Sequence, residues 1–187
     1  MKGGLWFVNM INRVFFILSL IFLSACQNEI AEIKAVTDYF NYPIQSVENA
    51  DYLYSESAKK STRLQAPLLE RYFNDTSQIV APKGFKMTFY SKLGQVDAWL
   101  VGNHGEFWEK SGVFHAQGKV KMENTEGESM TTEKVVFYRD SDLIKTDDWV
   151  TIQTKTGTLY GKGLISNSAF TEYQILRPTG QFNISEP

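Results

Sequence analysis

Alternation is the feature that most constrains this chain. Lys119-Val120-Lys121-Met122-Glu123 puts charged side chains on one side and Val120 and Met122 on the other. That period of two belongs to a half-buried strand. Phe85-Lys86-Met87-Thr88-Phe89-Tyr90 and Trp149-Val150-Thr151-Ile152-Gln153-Thr154 repeat the pattern. Val135-Val136-Phe137-Tyr138 is apolar throughout and reads as a strand covered on both sides. Leu64 to Phe73 suits a short helix, but Pro67 lies inside it and Leu64, Ala66 and Leu68 alternate, so a strand is equally open.

Turn-forming clusters separate these runs: Leu93-Gly94, Gly102 to Gly105, Lys110 to Gly112, Asn124 to Gly127, Asp140 to Asp142, Lys155 to Gly157 and Pro178 to Gly180. Segments starting near Ala98, His115, Met130, Ile144 and Leu159 resemble successive rungs of a loose repeat, each needing its neighbours to bury its apolar face. The expected architecture is all-β, with short antiparallel strands stacked in two facing sheets.

The N-terminus follows other rules. Lys2 and Arg13 precede an apolar run, Val14 to Leu23, that leads into Ser24-Ala25-Cys26. A run of about ten to twelve residues is short of the roughly 20 needed to span a bilayer, and the layout is that of a signal peptide. Leu23-Ser24-Ala25-Cys26 matches a lipobox, in which the thiol is diacylated and becomes the new N-terminus. Residues 1–25 are therefore expected to be a signal peptide, Cys26 the site of lipid attachment, 26–49 a lipidated tether, and 50–187 the folded domain. Cys26 is the sole cysteine, so no disulfide can form within the chain and packing must hold the fold. Two acyl chains make a stable membrane anchor.

Cleavage would remove Lys2 and Arg13 from the 19 basic side chains and none of the 21 acidic ones, leaving a net charge of about −4. With no basic block, nucleic acid is excluded as a partner class. Nor does a catalytic set stand out. The two histidines are His104, in a Gly-Asn-His-Gly turn, and His115, read as the solvent-facing member of a strand. No Gly-x-Ser-x-Gly elbow occurs. Gly157 to Gly163 has one residue too few for a phosphate loop, and no Ser or Thr follows Lys162. Asp140-Ser141-Asp142 and Asp147-Asp148 read as turn chemistry. The expectation is a protein without an active site, cofactor or metal.

Its aromatic residues, 14% of the chain, sit singly along alternating strands. A sandwich whose halves do not close would leave an apolar furrow about 10 Å wide. Exposing a 12-carbon chain to water costs roughly 10 kcal/mol at ~0.8 per methylene, so such a furrow suits acyl chains. The interior set expected to line it is Phe85, Met87, Phe89, Val120, Met122, Val150, Ile152 and Leu159.

Arg63-Leu64-Gln65-Ala66, Gly102 through Met122, Met130 through Tyr138, Asp148 through Ile152 and Gly157 through Leu164, in that order and spacing, resemble the LptC family. The likeness covers about Asp51 to Ile184. It implies an open, incomplete β-jelly roll that receives lipopolysaccharide from an inner-membrane ABC transporter through the transporter's permease subunits and passes it to LptA. It also implies docking of neighbouring domains on open strand edges, the C-terminal edge being assigned to Gly161, Gly163 and Leu164. The chain departs from the better-known family pattern in having a lipobox in place of a transmembrane helix, and Ser57-Ala58-Lys59 where a turn glycine is common. The anchor is expected on the periplasmic side of the inner membrane, with the outer membrane as an open alternative. A different lipid-binding or envelope-assembly adaptor is the competing reading.

Overall fold

A computed structural model describes residues 42–56, 59–73 and 77–180. The apolar run Val14 to Leu23, Cys26 and most of the expected tether lie outside them. The described chain folds into eleven antiparallel strands: β1 (Gln45–Glu56), β2 (Lys59–Tyr72), β3 (Gln78–Ala81), β4 (Phe85–Tyr90), β5 (Val96–Gly102), β6 (His104–Trp108), β7 (Val113–Asn124), β8 (Ser129–Tyr138), β9 (Leu143–Thr154), β10 (Gly157–Asn167) and β11 (Tyr173–Thr179). One 3-10 turn, Arg139–Ser141, links β8 to β9. The architecture is the expected all-β open jelly roll.

The strands form one hydrogen-bonded sheet whose halves diverge because long strands change partners midway. Strand β7 pairs with β6 from Val113 to Gln117 and with β5 from Lys121 to Asn124. At the change of partner Gly118 and Lys119 both have positive φ, 74° and 50°, and the register against β8 shifts. Strand β2 likewise pairs with β4 from Thr62 to Gln65 and with β3 from Glu70 to Tyr72. Pro67 falls in the gap between those two ladders, where its missing N–H costs no bond to either strand. The segment that could have been helical is therefore a strand, with its proline at the one place a paired strand tolerates it.

Packing between the halves follows. Phe85 of β4 meets Phe114 of β7 edge-to-face at 4.8 Å, and Phe89 meets Phe137 of β8 at 5.0 Å. Glycine at 105 makes room for the first pair, since a Cβ there would lie 2.6 Å from the Phe114 ring. Leu100, Val120, Met122, Met130, Ile144, Ile152, Leu164 and Phe170 are fully buried between the halves.

Several expectations need correction. Strand β1 starts at Gln45, inside the stretch read as tether, because Gln45 to Leu53 pair with Arg71 to Arg63 through backbone groups that need no apolar side chains. Val135 to Tyr138 is covered on one side only: Val135 and Phe137 are buried while Tyr138 is exposed. Its alternation differs from that at the start of β8, where Met130 and Thr132 point inward and Glu133 and Lys134 are both exposed. Asp147 and Asp148 lie within β9, not in a turn. Asn103 alone separates β5 from β6, so His104 is a strand residue.

Candidate functional site

The apolar cavity lies away from most of the residues expected to line it. Phe85, Phe89, Val120, Met122, Val150 and Ile152 are each at most 6% exposed and belong to the packed core. Leu159 is partly buried against that core. Their inward facing is as read from the alternation, though Phe85 and Phe89 also border clefts other than this cavity. Met87 is the one member of the set that also borders the cavity.

That cavity, about 200 Å³, lies between the β1–β2 pair and the turn-proximal ends of β6, β7 and β8. Leu64, Leu69 and Ile79 form one wall, and Phe107, Phe114 and Phe137 the other. Tyr52, Leu53 and Tyr54 of β1 border it too, and are 42%, 49% and 42% exposed, so the cavity opens to solvent along β1. An apolar void of ~150 Å³ already suffices to stay dry and bind benzene, and this one is somewhat larger. Strand alternation does not reveal these residues, because the void depends on how β1 closes over the far half. The run Tyr52-Leu53-Tyr54, apolar on both faces of an edge strand, was the signal available.

Charge is confined to the rim. The Arg71 guanidinium donates to Glu109 Oε1 at 2.9 Å, joining β2 to the residue after β6. Arg139 donates through Nε to Asp140 Oδ1 at 3.0 Å, and its guanidinium lies 5.0 Å from the Tyr54 ring centroid and 5.7 Å from that of Phe107. On the outer side Arg63 forms a two-point ion pair with Asp51, which lowers the aspartate's pKa and raises that of the arginine.

A second, polar cleft of about 690 Å³ meets the first at Thr62, Phe137 and Arg139. It is bordered by hydroxyls of Ser61, Tyr90, Ser91 and Ser168, by Lys92, and by Asp97, Asp140 and Asp142. Burial pushes the Asp97 carboxyl above its usual range, and the charge of Asp142 adds to the effect.

The histidines are accounted for structurally. His104 Nε2 lies 2.9 Å from Glu106 Oε1. His115 is half-buried, not fully solvent-facing, with its ring 4.6 Å from that of Trp108. Among the described residues no group of three or more His, Cys, Asp or Glu side chains is placed to hold a metal ion.

The residues assigned to the C-terminal edge also need correction. Gly161, Gly163 and Leu164 belong to β10, which is paired on both sides, with β9 and with β11. Among the described residues the free edge there is β11, whose Pro178 fits an outermost strand. Gly161 serves close packing instead, since a Cβ at that position would lie 2.3 Å from Ile175 Cγ2. At the other end of the sheet β1 pairs, among the described residues, with β2 alone.

An open jelly roll with, among the described residues, a strand paired on one side only at each end and an apolar cavity along one of them defines a class of domain: a slotted β-fold with room for hydrocarbon. The model of the family described as "Lipopolysaccharide-assembly, LptC-related" matches residues 14–177, and the chain belongs to that family. No curated protein matched the chain in sequence.

Proposed function

We propose that this protein is the periplasmic lipopolysaccharide-binding component of the Lpt bridge, without enzymatic activity. In this reading it receives lipopolysaccharide from the permease subunits of the inner-membrane ABC transporter and hands it to LptA. The observation that carries it is the apolar cavity of a family jelly roll, open beside Tyr52, Leu53 and Tyr54. Sheltering a 12-carbon chain there offsets much of the roughly 10 kcal/mol that its exposure to water would cost.

Two further features support the reading. The unpaired edges of β1 and β11 offer backbone donors and acceptors for neighbouring jelly rolls to add strands. The lipobox ending at Cys26 supplies an anchor that holds the domain at the periplasmic face of the inner membrane.

In-cell photo-crosslinking tests the central claim. A diazirine side chain at Leu64, on the cavity wall, is expected to capture lipopolysaccharide, whereas one at Trp149, 62% exposed, is not. Labelling at neither position in a folded, abundant protein would favour an envelope-assembly adaptor. Incorporation of labelled palmitate, lost in Cys26→Ala, tests the anchor.

A further inference from the structure

Arg139 occupies the partition between the apolar cavity and the polar cleft, since it borders both. Its guanidinium is held from the far half of the sheet. The Arg139 backbone N–H donates to the carbonyl of Gly112 at 3.0 Å, and the side chain packs so closely over Gly112 that a Cβ there would lie 2.9 Å from Nη2. Asp140 fixes the Nε side at 3.0 Å. The π face of Tyr54 lies across the cavity mouth, on β1.

Among the described residues strand β1 has a hydrogen-bonded neighbour on one side only, and its register against β2 shifts between Tyr54 and Ser55. The stretch carrying Tyr54 is thus held to β2 by a ladder interrupted at that point, and to the far half through the side chain of Tyr54 stacked on Arg139. Three of the residues that border the cavity, Tyr52, Leu53 and Tyr54, are exposed large apolar residues of this strand.

We propose that Arg139 is a latch: stacked on Tyr54, it holds β1 across the cavity mouth, and it releases Tyr54 when an acyl chain enters. This rests on the reading of the cavity as an acyl-chain site. The latch is a weak one, which suits a carrier that must load and unload. Cation–π contacts at partly exposed sites alter an equilibrium by about two- to five-fold. Arg139 is a positioning residue, acting through the strand it holds.

The test uses the full-length protein in cells, with the diazirine at Leu64 and short irradiation. Arg139→Met keeps an unbranched stem without the charge, and Tyr54→Leu removes the aromatic face. Each is expected to raise the early yield of lipopolysaccharide adduct about two- to five-fold, and the double variant no more than the larger single effect. Conversely, replacing Tyr54 and Arg139 with cysteines and joining them with a bismaleimide is expected to suppress the adduct. Unchanged yields in both single variants, with adduct retained in the cross-linked form, would overturn the latch and leave the acyl-chain site intact. No adduct at Leu64 in the otherwise unaltered protein would remove the site and the latch together. Should Arg139→Met fail to accumulate, Tyr54→Leu with the cross-linked pair decides the matter alone.

Discussion

Asn124 Nδ2 donates to the carbonyl oxygen of Phe170 at 2.9 Å, tying the turn after β7 to the connection between β10 and β11. The same side chain accepts, through Oδ1, from the backbone N–H groups of Glu126 at 3.0 Å and Glu128 at 2.9 Å. Phe170 is fully buried, stacked on Tyr173, and held at a φ of 54°. Asn124→Ala removes three hydrogen bonds from a site only 3% exposed. At ~1 kcal/mol per bond the expected loss is about 2–4 kcal/mol, read from urea unfolding. Asn124→Asp retains the two acceptor bonds but sets a carboxylate against a carbonyl, and is expected to lose stability as well.

Ile152 is fully buried, whereas its neighbour Gln153 is exposed. Ile152→Ala is expected to cost about 2–5 kcal/mol, from lost transfer energy and the void left behind. Gln153→Ala should stay within about 0.5 kcal/mol. Equal effects in denaturant titrations would mean that the inward face of β9 has been assigned wrongly.

Gly161→Ala tests the seating of β11. The new Cβ would meet Ile175 Cγ2 at 2.3 Å and the Arg177 carbonyl oxygen at 2.7 Å, and the latter is backbone. Strand β11 must therefore move, at an expected cost of about 1–3 kcal/mol. Hydrogen exchange should quicken across Tyr173–Thr179 while β1, at the opposite end of the sheet, is unchanged.

Asp97 gives stability a pH dependence of definite sign. Its carboxyl is raised above the ordinary 3.8 by burial first and by Asp142 second. Between the ordinary and the raised value the folded state binds more protons than the unfolded one, so this group's contribution falls as pH rises through that interval. Asp97→Asn should accordingly raise the melting temperature slightly at pH 7. The advantage should shrink as pH falls through the interval from the raised value to the ordinary 3.8, and be largely gone below it.

How much was legible depended on whether a strand keeps one alternation from end to end. Val120 and Met122, and again Val150 and Ile152, announce their inward face plainly, and all four are buried. Val135 to Tyr138 misled because the inward face changes earlier in the same strand, between Thr132 and Val135. Strand β1 was half hidden: Gln45, Ser46 and Glu48 look like linker, and only pairing with β2 makes them strand. The edge was misjudged by one strand because Gly161 and Gly163 catch the eye, whereas Pro178 was the better marker. The cavity was the least legible part. It is a gap between elements, and its size depends on how β1 comes to rest against side chains more than 50 positions away, such as Phe107 and Arg139.

The shifted register at Gly163 has a consequence for how such chains can vary in length. Before it, Leu159 and Gly161 face inward; after it, Leu164 and Ser166 do, with Gly163 at a φ of 81° absorbing the change. Strand β10 is in effect two strands of opposite phase spliced at one glycine. An added or lost residue elsewhere in either piece would reverse the phase beyond it, so that part of the strand must turn its inner side to water. Length changes should therefore accumulate in the turns, such as Lys155 to Gly157, while the splice points stay fixed in number and position.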